Sequence, residues 1–146
     1  MILISHRGNI NGEKLLLENT PTYIDNALKR GYEVEIDVWY IDGFYLGHDG
    51  PQYKIELDWL LERQDKLWIH CKNFNALTQL IKTNLKLFYH EKEDYTIISN
   101  KCIWAHNLNN IDDKCIIPLL GKKELKNWKR TDVYGICSDY VGIWSI

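Results

Sequence analysis

The chain has 146 residues, of which 45% are hydrophobic and 26% are charged, and its formal net charge is −2. This length is typical of one domain with its own core, and this composition is typical of a soluble globular protein. A slightly acidic chain lacks the basic balance that favours nucleic-acid binding, and no apolar run approaches the ~20 residues of a membrane span. We therefore expect a single domain over residues 1–146, with no nucleic-acid partner and no transmembrane segment.

The cysteines and the start of the chain predict a compartment. Cys71, Cys102, Cys115 and Cys137 show no C-x-x-C spacing. This pattern disfavours a zinc site or a disulfide framework and favours free, buried thiols. A strand is predicted from Ile2 onward, which leaves no space for a signal peptide. Both observations predict a cytoplasmic protein.

The first part of the chain is predicted to form a strand, a helix and a second strand. Ile2–Ser5 is a short apolar strand. Thr20 and Pro21 are typical of a helix N-cap and of the first helical position, and Gly31 ends that helix. Residues 33–39 alternate between apolar and polar side chains, as half-buried strands do. A strand–helix–strand unit of this length predicts a parallel sheet.

The rest of the chain continues with short elements. Asp42-Gly43 is a turn signal that predicts a hairpin over residues 36–47. Helices are predicted at residues 55–63, 74–84 and 122–129, and strands at 67–72, 85–89, 95–99, 102–105, 115–119 and 133–137. The prediction is thus an α/β chain of seven or eight strands and four helices. Polar residues cluster after the strands, where the active sites of α/β proteins lie.

The strand at residues 33–39 carries the strongest functional signal. Because successive side chains of a strand point to opposite faces, Glu35 and Asp37 share one face. His6 directly follows one apolar run, and His48 follows another after a single glycine. Two carboxylates flanked by two histidines at strand ends predict a metal and acid/base site. The alternative is a solvated acidic strand with surface histidines.

These residues stand in an order that resembles the signature of the glycerophosphodiester phosphodiesterases, which are related to the phosphatidylinositol-specific phospholipases C: His6-Arg7, then Glu35-x-Asp37, then His48. Glu18-Asn19-Thr20 and Asp42-Gly43 also resemble this family, so the match spans roughly residues 3–50. The later part of the chain resembles a short variant. The resemblance implies a reduced (β/α)8 barrel of the TIM type with several helices shortened or missing, since such barrels typically take ~250 residues. An incomplete barrel or an open sheet is the alternative.

The resemblance also implies roles for these residues. Glu35 and Asp37 would bind a divalent metal, Mg²⁺ or Ca²⁺, to which hard oxygen ligands are suited. His6 and His48 would be the catalytic acid/base pair, because imidazole titrates near neutrality. Arg7 would neutralise charge that develops on the phosphoryl oxygens. In the family, a neighbouring hydroxyl of the substrate attacks phosphorus and gives a cyclic phosphate.

Further residues are candidates for binding the substrate or the metal. Lys72 is expected to bind the phosphate, or else to form an ion pair with the carboxylates. His70 stands where many family members have a glutamate that completes the metal shell. Because imidazole ligates Mn²⁺ or Zn²⁺ better than Mg²⁺ or Ca²⁺, His70 is either a third metal ligand, compatible with Mn²⁺, or a donor to the phosphate. Glu18 is expected to contact the substrate or to cap the following helix, and Trp104 to shape the substrate pocket.

Three other polar residues follow later predicted strands. Packing or surface positions are favoured for His90 and His106, whereas Asp139 is expected at the top of the last strand. The sequence predicts a metal-dependent phosphoric diester hydrolase whose partner is a small, glycerophosphodiester-like substrate. A lyase that releases a cyclic phosphate and a non-catalytic phosphodiester-binding module are the alternatives. A barrel without all its helices would expose apolar strand faces, and formation of a homodimer is one way of covering them.

Overall fold

The computed structural model describes residues 1–144, which form ten β-strands, four α-helices and a short 3-10 helix at Val141–Trp144. The strands are β1 (Ile2–His6), β2 (Glu33–Tyr40), β3 (Phe44–Leu46), β4 (Tyr53–Ile55), β5 (Leu67–Cys71), β6 (Lys86–Phe88), β7 (Tyr95–Ile97), β8 (Ile103–Ala105), β9 (Cys115–Pro118) and β10 (Gly135–Ser138). The helices are α1 (Pro21–Lys29), α2 (Leu57–Leu61), α3 (Phe74–Leu80) and α4 (Lys122–Asn127).

All ten strands belong to one mixed sheet, so the fold is mixed α/β with few helices. Seven strands are parallel to one another in the spatial order β6-β5-β2-β1-β10-β9-β8. β3 pairs antiparallel with the end of β2 and with β4, and β7 pairs antiparallel with β8. Within residues 1–144 no strand ladder joins β6 to β8, so the ladders leave the sheet open at this point.

The two outer parallel strands, β6 and β8, are nevertheless close together. The backbone N–H of Ser99 donates to the carbonyl of Leu87 at 2.9 Å, and the Ser99 hydroxyl accepts from the N–H of Leu87 at 2.9 Å. The rings of Phe88 on β6 and Trp104 on β8 stack with their centroids 4.8 Å apart. The sheet is therefore strongly curved, and its edges meet through single hydrogen bonds and ring contacts.

The curvature gives the sheet an inward and an outward face. The inward face carries a buried cluster to which six parallel strands each contribute one residue: Ile4, Trp68, Phe88, Trp104, Ile116 and Cys137. The outward face of β2 packs against α1 and α3 through a second buried cluster, which includes Val34, Ile36, Val38, Ile24, Ala27, Ala76 and Leu80. Because β2 buries its apolar residues on the outward face, its acidic residues point inward.

One of these inward acidic residues has a structural role. Glu33 lies at the amino end of β2, where its Oε2 accepts from Nε1 of Trp68 at 2.6 Å and from Nζ of Lys86 at 3.1 Å. The Lys86 ammonium also lies 4.4 Å from the centroid of the Trp68 ring. Oε2 of Glu33 is therefore engaged at the end of the sheet opposite to Glu35 and Asp37.

The elements that position the site agree with the sequence predictions. The side chain of Thr20 caps α1 by accepting from the N–H of Tyr23, and the predicted hairpin pairs Val38 of β2 with Leu46 of β3. The prediction of a helix from residue 55 is wrong. Ile55 ends β4, where it pairs with Phe44, and α2 begins only at Leu57. A three-residue strand is too short to show an alternating pattern, so the sequence does not predict β4.

The four cysteines are free and buried within residues 1–144, as their spacing predicts. In the same part of the chain, every helix is too short or too polar to cross a membrane.

Candidate metal and acid–base site

The polar residues of the inward face lie at the carboxyl ends of the parallel strands. His6 ends β1, Glu35 and Asp37 lie on β2, His70 lies on β5, and Asp139 directly follows β10. A cavity of about 520 Å³ opens at this end of the sheet, and its polar lining includes His6, Arg7, Glu35, His48, His70 and Lys72. The curved sheet thus gathers at one cavity six of the residues that the sequence pattern singles out.

The two carboxylates of β2 are buried side by side. Within residues 1–144, Glu35 Oε2 and Asp37 Oδ1 are both buried and have no hydrogen-bond partner. Burial and the neighbouring charge of Asp37 raise the pKa of Glu35. One carboxylate oxygen of each residue and a ring nitrogen of His70 all lie within 4.8 Å of one another. Since buried anionic oxygens are costly unless they are paired or bind a cation, this set fits a divalent metal site.

The other oxygen of Asp37 is held by the protein. Asp37 Oδ2 accepts from Asn19 Nδ2 at 2.9 Å and lies 3.0 Å from Nε of Arg7. Asn19 Oδ1 in turn accepts from the backbone N–H of Asp37 at 3.0 Å. Burial alone would raise the pKa of Asp37, but its contact with the His70 imidazole and the charge of Arg7 outweigh it and hold the pKa below its usual range. Asp37 is therefore an ionised carboxylate with one oxygen fixed and the other turned to the site.

The ring of His70 is oriented by a backbone carbonyl. Its Nε2 lies 3.1 Å from the carbonyl oxygen of His90, which can only accept, so Nε2 carries a proton. Its Nδ1 then faces Asp37 Oδ1 at 3.2 Å. Two lone pairs repel at this distance, so either a second ring proton or a cation lies between the two atoms. A histidine that ligates a metal commonly donates its other N–H to a carbonyl in this way.

The ring of His6 is oriented by a carboxylate from the last strand. His6 Nδ1 lies 2.8 Å from Asp139 Oδ1, so Nδ1 carries the proton and Nε2 is left free. His6 Nε2 lies 3.7 Å from Glu35 Oε2 at the cavity wall. Burial lowers the pKa of His6, but the hydrogen bond to Asp139 and the charge of Glu35 outweigh it, so the pKa is raised above its ordinary value. This imidazole can therefore accept or return a proton at Nε2.

Arg7 reaches the cavity because the chain turns directly after β1. In a straight strand Arg7 would face away from His6, but the φ angles of Arg7 and Gly8 are 54° and 93°. A Cβ atom at Gly8 would lie 2.6 Å from Cδ1 of Tyr23. Both the backbone conformation and the contact with α1 therefore require glycine at this position.

The Arg7 guanidinium contacts three other polar residues of the site, Glu18, Asp37 and His48. It lies 3.2 Å from Glu18 Oε2 and 3.0 Å from Asp37 Oδ2, and its Nη2 lies 2.6 Å from Nδ1 of His48. Because a guanidinium can only donate, Nδ1 of His48 accepts and the ring proton of His48 lies on Nε2. The His48 side chain is 43% exposed, whereas that of His6 is 11% exposed. The two imidazoles therefore differ in tautomer, charge partner and access to water.

The remaining predicted residues occupy different parts of the site. Lys72 lines the cavity, with Nζ 3.8 Å from Asp37 Oδ1, and Trp104 is buried in the cavity wall. Glu18 is not among the described residues that line the cavity. Its two carboxylate oxygens bind Arg7 and Nδ2 of Asn9, the latter at 2.8 Å, and the cap of α1 is Thr20 rather than Glu18. The structure thus puts Glu18 behind Arg7.

Several supporting residues are not assigned a role by the sequence pattern. Nδ2 of Asn9 donates to Asp139 Oδ1 at 2.8 Å, and Asn19 holds Asp37 from a φ angle of 60°. His90 and His106 both line the cavity, and their rings stack with centroids 4.3 Å apart. The sequence correctly puts both histidines after strands, but it favours packing or surface positions for them, whereas the structure puts both in the cavity lining.

The chain was compared with protein-family models, with curated proteins and with solved structures, and none of them matches. The resemblance to the glycerophosphodiester phosphodiesterases therefore rests on the short ordered motif alone. The functional argument depends on the geometry of the site.

Proposed function

We propose that this protein is a metal-dependent phosphoric diester hydrolase of the glycerophosphodiester phosphodiesterase type. The observation that carries the proposal is the pair of buried oxygens, Glu35 Oε2 and Asp37 Oδ1, that lack a hydrogen-bond partner among the described residues. Glu35 lines the cavity beside His6, and Asp37 lies on the same strand face. A carboxylate pair kept only for ion pairing would be expected to have its buried oxygens hydrogen-bonded. An unsatisfied acidic pair beside oriented histidines favours a cation and proton transfer.

We infer that the curved sheet is a reduced barrel of the (β/α)8 type. Seven parallel strands whose outer members approach each other through Ser99 and the Phe88–Trp104 stack support this inference. So does the position of the polar residues at the carboxyl ends of the strands, where such barrels carry their active sites. The connection from β8 to β9 is helix-free and that from β6 to β8 is a strand, which accounts for the short chain.

Glu35 and Asp37 would hold the divalent cation. Two carboxylates suit Mg²⁺ or Ca²⁺, and inclusion of Nδ1 of His70 would favour Mn²⁺. The raised pKa of Glu35, caused by burial and by the charge of Asp37, fits a site in which positive charge is expected between the two carboxylates. When bound, the cation would supply positive charge to the phosphoryl oxygens of the diester.

His6 and His48 would exchange protons with the substrate. Nε2 of His6 is free and is therefore the base that takes the proton of the attacking hydroxyl, while Nε2 of His48 carries a proton for the leaving alkoxide. Arg7 and Lys72 would offset the negative charge that develops on the phosphoryl group. The resemblance implies that the attacking hydroxyl belongs to the substrate, which gives a cyclic phosphate first. Water then opens this ring, with the two histidines in reversed roles.

The surroundings of His48 favour hydrolysis over the alternatives. Its side chain is 43% exposed at the open side of the cavity, so water can reach a cyclic phosphate held beside it. A lyase that releases the cyclic phosphate would be expected to exclude water from its site, because water hydrolyses this intermediate. A non-catalytic binding module would not need the carboxylate-oriented imidazole of His6, which suits proton transfer rather than binding.

A phosphodiesterase assay tests the proposal. Glycerophosphodiesters and a chromogenic diester would be supplied with Mg²⁺, Ca²⁺, Mn²⁺ or chelator, and phosphorus NMR would distinguish a monoester from a cyclic phosphate. We expect cation-dependent release of the monoester that is lost in His6→Gln and Glu35→Gln. Glu33→Gln is the matched control, because Glu33 shares the strand face of Glu35 but is engaged at the opposite end of the sheet. Folded wild-type protein that turns over neither diester with any cation would contradict the proposal.

A further inference from the structure

Three consecutive leucines are exposed on the loop between β1 and α1. Leu15, Leu16 and Leu17 are 75%, 90% and 43% exposed. Single apolar side chains are common on protein surfaces, whereas contiguous ones mark contact with another protein or with lipid. These leucines have no role in the proposed catalytic reaction, so their exposure needs a separate explanation.

The leucine loop, residues 14–19, is a fixed turn. The N–H groups of Leu17 and Glu18 donate to the carbonyl of Lys14 at 2.8 and 3.1 Å, and the hydroxyl of Thr20 donates to the carbonyl of Leu17 at 2.8 Å. The N–H of Lys14 donates to Oδ1 of Asn9 at 3.2 Å. The loop therefore holds its leucines outward by defined hydrogen bonds.

The same loop supports the candidate site from behind. Its last two residues, Glu18 and Asn19, are buried and bind Arg7 and Asp37 respectively. The leucines are thus joined by one to four peptide bonds to Glu18 and Asn19, which hold residues of the candidate site. Contact made by the leucines would bring the carboxyl end of the sheet to the contacted surface.

Two further exposed apolar residues, Ile41 and Phe74, lie at the same end of the sheet. Ile41 follows β2 and is 50% exposed, and Phe74 follows β5 and is 72% exposed. Their preceding residues, Tyr40 and Asn73, are joined by two hydrogen bonds of 3.0 and 3.1 Å, which hold the loop that starts at Ile41 beside the start of α3 at Phe74. Since β1, β2 and β5 are adjacent strands, both apolar sites belong to the end of the sheet that bears the cavity.

We propose that Leu15, Leu16 and Leu17, together with Ile41 and Phe74, form a docking surface for a zwitterionic phospholipid membrane. The cavity would then receive a phosphodiester that is presented at the lipid–water interface. This second statement rests on the proposed function, whereas the docking does not.

The area and shape of the surface favour a membrane over a protein partner. A stable protein interface takes about 800 Å² from each partner, and five side chains on separate loops supply only a fraction of that area. A narrow turn that projects three leucines fits poorly against a rigid protein surface. It can enter the fluid boundary between headgroups and acyl chains, where apolar side chains are buried to about 5–10 Å.

The charges near the leucines favour a neutral membrane surface. Glu13 and Lys14 precede the leucines and cancel each other, and the net charge of the chain is −2. Anionic membranes are recognised by clusters of about four to eight Lys or Arg residues. The leucine loop offers Lys14, and Lys29 and Arg30 line the same surface cavity as Lys14, so the local basic group stays below that size. Asp49, whose side chain is exposed at the cavity, adds negative charge to this end of the protein. A zwitterionic surface therefore matches the charge better than an anionic one.

Cosedimentation with vesicles of phosphatidylcholine tests the docking. We expect wild-type protein to bind, and the double variant Leu15→Asp/Leu16→Asp to show a partition coefficient lower by about tenfold or more, because two buried apolar contacts are replaced by charges. Ile97→Asp is the matched control. Ile97 is 78% exposed but pairs with the first residue of β8, at the opposite end of the sheet, so its replacement should leave vesicle binding unchanged. Partial replacement of phosphatidylcholine by phosphatidylserine should not increase binding.

Several outcomes would overturn the docking proposal. These are absence of wild-type binding, equal binding by the double leucine variant, and binding that requires phosphatidylserine. A wild-type dimer in sedimentation velocity that the double variant converts to a monomer would also overturn it, because the leucines would then form a protein interface. Turnover of a soluble diester is measured in parallel and should be equal in wild type and the double variant. Its absence from both would count against the proposed function and leave the vesicle result to decide the docking.

Discussion

Nδ1 of His6 lies 2.8 Å from Oδ1 of Asp139, although 133 positions separate the two residues in the chain. The contact follows from the parallel pairing of β1 with β10, in which Ser5 is opposite Ser138. The first and last strands along the chain are therefore adjacent in the sheet, and they meet at the candidate base. The orientation of His6 depends on completion of the whole fold.

Replacement of Asp139 by asparagine tests this contact. We expect Asp139→Asn to lower kcat for diester hydrolysis by about tenfold or more with little change in KM, because the neutral amide no longer stabilises the positive charge that the His6 ring carries after it takes a proton. The side-chain oxygen of asparagine can still accept from Asn9, so the fold should be retained. Steady-state kinetics at saturating cation measures the effect. Asp132→Asn, at an exposed ion pair with Arg130, is the control, and an unchanged kcat in Asp139→Asn would contradict the assigned role.

The turn after β1 can be tested with two glycines that share one backbone angle. Gly8 and Gly31 both have φ angles of 93°, but a Cβ atom at Gly8 would meet Tyr23, whereas one at Gly31 would meet no described atom within 4 Å. Gly31→Ala should cost about 1–2 kcal/mol of unfolding free energy through backbone strain alone. Gly8→Ala should cost about 1–3 kcal/mol more through the clash. Urea denaturation measures both, and equal losses would show that the contact with Tyr23 is unimportant.

The identity of the cation should depend on His70. Imidazole is a better ligand for Mn²⁺ than for Mg²⁺ or Ca²⁺, whereas a third carboxylate suits the latter two. We expect His70→Glu to shift the ratio of the Mg²⁺ to the Mn²⁺ association constant upward by about tenfold, and His70→Gln to weaken Mn²⁺ binding. Calorimetric titration of each cation gives these constants. An unchanged ratio in His70→Glu would mean that His70 does not ligate the cation.

The strand that carries His70 also carries a buried thiol on its outward face, and this thiol should be chemically silent. Burial raises the pKa of Cys71 to about 12, so only about one molecule in ten thousand carries its thiolate at pH 8. We expect iodoacetamide to leave Cys71 unmodified in the native protein at pH 8 and to modify all four cysteines in guanidinium. Peptide mass spectrometry measures the modification. Rapid alkylation of native Cys71 would show that the outward-face packing around β5 opens in solution.

The part of the site that short-range rules describe was predictable from the sequence. The period of two in a strand assigns Glu35 and Asp37 to one face, and the polar residues that follow apolar runs meet at one end of a parallel sheet. His48 reaches Arg7 because the predicted hairpin returns the chain toward β2. These relationships need only local pattern and the direction of the strands.

The rest depends on contacts that are remote in the sequence. The buried position of Glu18 behind Arg7 and the bond from Asn9 to Asp139 exist only because the β1–α1 loop folds back over the end of the sheet. The same is true of the sheet edges, which approach through Ser99 without a ladder. Side-chain polarity along the chain contains no signal for such packing, so the sequence left a closed barrel and an open sheet as alternatives.

The binding of a divalent cation by Glu35 and Asp37 is the central claim, and calorimetric titration of Mn²⁺ and Mg²⁺ tests it most directly. Wild type and Glu33→Gln should each bind one ion per chain, and Glu35→Gln should bind none, because the amide removes the charge and one of the two buried carboxylate oxygens that lack a partner in the described structure. Circular dichroism would establish that all three proteins are folded. A wild-type protein that binds neither cation, or a Glu35→Gln variant that binds as tightly as wild type, would contradict the account.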